Sequence, residues 1–152
     1  PLNEYVNEIV RSYKKISKKE FYVNTIDYKT SINITKSIEI MYGLRNFIGN
    51  ANKFSEKKVE IIMFSDPVST SIIIRDDGPG FPKDLIDKQK LGEPYIRTYN
   101  QENISKFGLG LGTFIGKTLL EKNFANINFK NSSKTSGAEI IIKWLNKDLK
   151  KI

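Results

Sequence analysis

Asn46, Asn50 and Lys53 recur at i, i+4 and i+7 within Asn46-Phe-Ile-Gly-Asn50-Ala-Asn-Lys53. At about 100° per residue these side chains leave one stripe of a helix, opposite Leu44, Ile48 and Ala51. Two amide oxygens and an ammonium group on one stripe can hold a magnesium ion and a phosphate. Taken alone, the stripe reads more simply as a solvated helix face. A second group of residues is Ile72-Ile-Ile-Arg-Asp76-Asp-Gly78-Pro-Gly80-Phe. Here an apolar strand ends on a carboxylate, and two glycines let the backbone turn tightly and approach a ligand. A buried carboxylate at a strand end can accept a hydrogen bond from an adenine amino group while apolar neighbours cover the ring. Its plainer alternative is a Gly-Pro turn.

The third group is Phe107-Gly108-Leu-Gly110-Leu-Gly112-Thr, at the start of an amphipathic stretch. Glycines at a helix N-terminus present unpaired N–H groups beside the positive end of the dipole, a cradle for phosphate. Packing explains three glycines at a spacing of two poorly, because each weakens the helix. Gly116-Lys117-Thr118 imitates the end of a Walker A loop, but that loop needs a glycine where Leu111 stands. The dinucleotide spacing G-x-G-x-x-G is also missing.

The elements that must position these groups follow from periodicity. Residues 2–16 carry helical spacing (Leu2, Val6, Ile9, Val10, Tyr13, Ile16), and 20–27 and 31–35 read as short strands. Residues 37–54 form the clearest helix, with Met41, Leu44, Ile48 and Ala51 on its apolar face and Ser37 or Thr35 as cap. Strands are expected at 57–64 and 69–75, joined by Ser65-Asp66-Pro67. After an irregular stretch over 76–107 come a helix at 109–122 and two strands at 124–131 and 138–145. Strands arriving in pairs between helices predict an α/β (α+β) two-layer sandwich, in which about three helices cover one face of a mixed, largely antiparallel sheet. A loop of some 30 residues inside a compact domain is unusual unless it is a functional lid.

With 152 residues and 39% hydrophobic content, the chain fits one domain with one core. It contains no cysteine and no histidine, which excludes disulfides, thiolate metal sites and histidine bases. Carboxylates, amides, lysines, arginines and backbone groups must carry any chemistry, and they suit a hard cation such as Mg²⁺. The net charge of +8 favours an anionic partner. No apolar run approaches the ~20 residues of a membrane helix.

Together and in this order, the three groups resemble the N, G1 and G2 boxes of the GHKL superfamily, which contains histidine kinases, type II topoisomerases, Hsp90 and MutL. Leu91-Gly-Glu-Pro-Tyr-Ile-Arg-Thr98 resembles the F box of the histidine-kinase lid. The stretch from Gly108 to Glu121, with Gly137-Ala and Trp144, is most similar to the RegB/PrrB group of sensor kinases. The resemblance implies a Bergerat ATP-binding fold across 1–152, with an ATP lid at about 82–107. Carried over by position, Asn50 is the Mg²⁺ ligand, Asn46 its polar neighbour at the phosphates, and Lys53 a phosphate contact. Asp76 reads the adenine amine, Gly78 and Gly80 shape the base pocket, and Gly108, Leu109, Gly110, Leu111 and Gly112 wrap the phosphates. Arg97 is the lid cation near the γ-phosphate, so the catalytic set would be Asn46, Lys53 and Arg97.

Two departures from the family pattern stand out. Lys106 replaces a common glycine, stiffening the lid hinge or adding a phosphate contact, and Ala138 replaces a threonine hydroxyl. Hydrolases of the superfamily resemble one another in carrying Glu where Asn46 stands; an amide cannot act as general base. The expectation is therefore a catalytic domain that binds ATP and Mg²⁺ and phosphorylates a histidine outside this chain. Its partners would be the dimerisation and phosphoacceptor domain of the same protein and a downstream response regulator, with no nucleic acid. The chain is read as a monomeric, cytoplasmic fragment of a longer, membrane-anchored sensor kinase. The rivals are a GHKL ATPase or serine kinase and, more remotely, a nucleic-acid-binding or non-catalytic interaction domain. Aromatics that follow core periodicity oppose the nucleic-acid reading.

Overall fold

The computed structural model describes residues 2–26, 37–83, 111–133 and 137–152. Among them the chain runs α1 (Leu2–Lys14), β1 (Glu20–Ile26), α2 (Ile38–Phe54), β2 (Lys58–Ser65), β3 (Ser69–Asp76), α3 (Leu111–Lys122), β4 (Asn126–Asn131), β5 (Ala138–Leu145) and α4 (Asn146–Leu149). The strand expected at 31–35 and the part of the expected lid beyond residue 83 lie outside the described residues.

The five strands form one sheet in the order β1-β2-β3-β5-β4. β1 pairs parallel with β2, and the other neighbours are antiparallel. The parallel pair needs a crossover, and α2 lies within it. Burial alternates strictly along β2, with Val59, Ile61, Met63 and Ser65 turned inward. Register places Ile72 and Ile74 of β3 and Ile140 and Ile142 of β5 on the same buried face. Helices α1, α2 and α3 cover this face, α1 against β1, α2 against β2 and β3, and α3 against β4. This is the expected two-layer sandwich.

The opposite face carries a row of alternating charge: Glu60, Arg75, Glu139 and Lys130 sit side by side on β2, β3, β5 and β4. Arg75 holds Glu139 at 2.6 Å, and Lys130 holds it at 3.0 Å. Burial pushes the Glu139 carboxyl up, but the bonds from Lys130 and Arg75 outweigh it and hold the group below the usual range.

α2 starts where its cap dictates. Ser37 is extended, and its hydroxyl accepts from the Ile40 N–H at 3.2 Å, with Glu39 in the first turn. Ile40, Gly43, Leu44, Phe47, Ile48 and Ala51 form its buried stripe. Phe47 and Ile40 thus join the expected core residues, whereas Met41 is only partly buried. α3 packs antiparallel against α2, so that Lys122 at its end meets Glu39 at 3.0 Å. The contact is close enough that a Cβ on Gly43 would lie 2.6 Å from Leu120 Cγ, and one on Gly116 would lie 3.3 Å from Phe47 and from Asn46 Cβ. Gly116 is a helix-packing glycine, and Lys117 pairs with Glu121 at 3.2 Å, which accounts for the false Walker triplet.

Beyond one-residue shifts, two boundaries and one added element depart from the sequence reading. α1 stops at Lys14, leaving Ile16 exposed. β4 starts at Asn126, not 124, because Phe124 takes a left-handed φ of 71° to end α3. The Phe124 N–H bonds to Glu121 C=O and the Ala125 N–H to Leu120 C=O, both at 3.0 Å, a Schellman ending that usually takes glycine. Finally, α4 is a single turn with no periodicity to announce it. Phe124→Gly should relieve about 1–2 kcal/mol of backbone strain, less about 0.5–1 kcal/mol for the greater freedom of unfolded glycine. A small rise in the urea midpoint is expected. A fall would mean that the Lys151 ammonium stacked 5.8 Å from the Phe124 ring outweighs the strain.

Candidate functional site

Asp76 is the last residue of β3 and only 6% exposed. Its Oδ1 accepts the Gly78 N–H at 2.9 Å and the Ala138 N–H at 3.1 Å. Burial pushes its carboxyl above the usual range; those two bonds and the more distant Lys19 oppose the rise without cancelling it, and neighbouring Asp77 adds to it. Asp77 has a different environment. It accepts the N–H groups of Glu56, Lys57 and Lys58 at 2.8–3.3 Å, which fastens the end of β3 to the α2–β2 connection. Burial would raise Asp77 too, but bonds from Lys57, Lys58 and Glu56 prevail and lower it. Of two adjacent carboxyls, one is held as an anion by a loop and the other is left under desolvation in a pocket.

Glycines make this packing possible. A Cβ on Gly78 would lie 2.1 Å from the Phe54 carbonyl oxygen, and one on Gly137 would lie 2.0 Å from the Asp76 carbonyl oxygen. Gly80 turns the chain at φ 81°. Asp76 lies at one wall of a pocket whose apolar lining includes Ala51, Phe54, Ile74, Phe81, Phe129 and Ile140. Asn50 and Thr113 add polar groups, joined by a bond from Asn50 Nδ2 to Thr113 Oγ1 at 3.2 Å. That bond uses the amide nitrogen and leaves the Asn50 oxygen as the atom suited to a hard cation. One turn back on α2, Asn46 donates to the Tyr42 carbonyl at 2.9 Å. Its Oδ1 would be 3.5 Å from a Cβ on Gly112, so the Asn46 oxygen faces the first turn of α3. Lys53 is exposed at the end of α2, with its Nζ 5.2 Å from the centre of the Phe54 ring.

The structure therefore brings Asn50, Asp76 and Gly80 to one pocket, with Gly78 behind Asp76 and Asn46 and Gly112 beside each other at the α2–α3 contact. Leu111 is the first residue of α3. Arg97, Lys106, Gly108, Leu109 and Gly110 lie outside the described residues. Ala51, expected opposite the polar stripe, lines the same pocket as Asn50: one residue apart on a helix, the two straddle its rim. Thr113 and Gly137 stand in the motifs read from the sequence but were given no role in the site. Thr113 directly follows the third glycine; the contact of Gly137 with Asp76 had no local signal, because the two are 61 positions apart. At Ala138 the main-chain N–H serves the site.

These residues fit a purine nucleotide: an apolar pocket with a buried carboxylate acceptor, lined also by Asn50 and by Thr113 in the first turn of α3. Among the described residues no cluster of three or more His, Cys, Asp or Glu is placed to hold a metal. A magnesium ion would thus draw on the Asn50 oxygen and on phosphates, in keeping with its coordination habits.

Residues 35–148 match the family described as histidine kinase-, DNA gyrase B-, and HSP90-like ATPases. The chain belongs to this family of ATP-binding domains. It is 36% identical over 105 residues to the sensor histidine kinase RegB of Cereibacter sphaeroides, an alignment covering 66% of this chain and 22% of RegB. It is 28% identical over 102 residues to the sensor histidine kinase CpxA of Escherichia coli, covering 67% and 21%. The matched stretch is thus about a fifth of the length of these relatives. The nucleotide-free catalytic domain of histidine kinase ThkA superposes with a TM-score of 0.76 at 20% identity, over 95% of this chain and 94% of that one, a likeness of fold. Among the described residues no helix is long and apolar enough to cross a membrane.

Proposed function

We propose that this chain is the catalytic domain of a sensor histidine kinase, which binds Mg-ATP and passes the γ-phosphate to a histidine on a separate phosphoacceptor domain. The observation that carries the reading is Asn46, an amide facing the first turn of α3 where a hydrolase needs a carboxylate. An amide cannot take a proton from water, and the chain holds no histidine to receive phosphate. Asp76 accepts from the adenine amine, while Phe54, Ile74 and Ile140 exclude water around the base. The Asn50 oxygen holds the metal, which when bound neutralises phosphate charge. Asn46 orients the phosphates, and Lys53 approaches them by leaving the Phe54 ring. Arg97 at the γ-phosphate, and Lys106 with the loop Gly108, Leu109, Gly110, Leu111 and Gly112 around the phosphates, complete the assignment on the strength of the resemblance. Positioning and charge neutralisation are the usual means of phosphoryl transfer.

Residues 1–152 would act as one monomeric catalytic unit with a lid at about 82–107. The names of the relatives, sensor histidine kinases, support a parent that carries a phosphoacceptor domain with the histidine and acts on a downstream response regulator. A membrane-anchored parent with this part in the cytoplasm, and a dimerisation role for the phosphoacceptor domain, rest on the resemblance alone. The test mixes the purified chain, radiolabelled ATP and Mg²⁺ with and without that histidine-bearing domain. Acid-labile, base-stable label is expected on the added domain alone. ATP hydrolysis by the chain itself at about 10 per second, an ordinary enzymatic rate, would place it with the ATPases instead.

A further inference from the structure

Asn131 closes β4, an edge strand of the sheet, and turns its side-chain amide onto the main chain of Phe81. Its Oδ1 accepts the Phe81 N–H at 2.7 Å, and its Nδ2 donates to the Phe81 carbonyl at 3.0 Å. A neighbouring strand would offer the same donor and acceptor pair, so one side chain stands in for a rung of the ladder. The Phe81 ring is held from the same strand: it meets Phe129 edge-on at 5.8 Å, and Phe129 meets Phe47 at 5.9 Å. Phe81 itself belongs to no helix or strand. It follows the left-handed turn at Gly80 and lines the pocket that Asp76 also lines. This wall of the pocket is not part of a helix or strand itself; among the described residues, the contacts from β4 hold it.

We propose that Asn131 is a positioning residue for the nucleotide base: by clamping Phe81 it sets the width of the slot and presents the adenine edge to Asp76. Without the clamp, the Gly80–Phe81 turn is free to shift away from β4, and a base can sit without meeting Asp76 squarely. The effect falls on base discrimination more than on folding, because an exposed pair of hydrogen bonds at a strand end contributes little to global stability. The proposal rests on the nucleotide reading of the pocket.

The test compares ADP and GDP binding by calorimetry for the wild type, N131A and N131D, alongside melting temperature without ligand. N131D keeps the size and one acceptor but opposes the Phe81 carbonyl with a carboxylate oxygen. Loss of one to two net hydrogen bonds should weaken ADP about five- to tenfold in both variants. GDP should change less, so the ADP/GDP ratio shrinks, while the ligand-free melting temperature stays near that of the wild type. An unchanged ratio in both variants, whether or not ADP binding falls, would overturn the proposal. Should N131A fail to fold, N131D gives the answer. Absence of adenine preference in the wild type would instead overturn the nucleotide reading itself.

Discussion

Asp76→Asn should weaken ATP binding by about 10- to 100-fold and abolish the preference for ATP over GTP, the loss of one charged hydrogen bond being worth about 1.5–3 kcal/mol. The substitution is nearly isosteric. The Asn Oδ1 can still accept from Gly78 and Ala138, both of which bond to Oδ1 in the wild type. What changes is the second atom, which becomes an N–H₂ donor facing the adenine amine, itself a donor. Binding should therefore suffer while the fold does not. Stability carries a further signature. Burial raises the Asp76 pKa, so the stabilisation linked to its protonation is complete below the unfolded value of about 3.9. It is lost as pH rises through the raised folded value. Asparagine has no such dependence. The difference in melting temperature between variant and wild type should move in the variant's favour from acid to neutral pH. Equal binding of ATP and GTP by the wild type would remove Asp76 from its role, and a difference flat with pH would contradict its desolvation.

Asn50→Ala should remove the enhancement of ATP binding by Mg²⁺ and lower transfer to the added histidine domain by on the order of 100-fold or more, as loss of one positioned electrostatic group does. The helix should survive. Among the described residues the Asn50 side chain bonds only to Thr113, worth about 1 kcal/mol, and alanine is the better helix former. Nucleotide titrations with and without Mg²⁺, checked by circular dichroism, separate the two effects. A variant that unfolds would make Asn50 structural; one that keeps its Mg²⁺ response would move the metal elsewhere.

These two residues also mark where sequence reasoning works. α2 was legible because Ser37, the apolar spacing and the polar stripe agree on one helix. Asp76 was legible because an Ile-rich run cannot continue buried past a charge without a reason. What failed to show was contact between distant segments. Nothing around Thr113 announces Asn50, and nothing around Gly137 announces the Asp76 carbonyl it must touch. Phe124 misled for a physical reason: its aromatic β-propensity favours a strand, and tertiary context forces it left-handed. Ala51 belongs to the core as its spacing says, yet it also lines the pocket beside Asn50, because a stripe drawn at ideal helical angles has a sharp edge that a pocket does not respect.

The first helix and strand have a practical bearing on where this domain ends. The family match begins at residue 35, yet Leu2, Val6, Ile9, Val10 and Phe21 are core residues. The Tyr5 hydroxyl accepts the Ser37 N–H at 3.0 Å, at the cap of α2. A chain trimmed to the matched stretch would bare the α1 side of α2 and turn β2 into an unprotected margin, displaying Val59, Ile61 and Met63 beside unpaired amides, the profile of a sticky, aggregating sheet edge. Excision for expression should therefore start at residue 2 or earlier, since α2, which carries the proposed nucleotide pocket, depends on a segment that motif boundaries leave out.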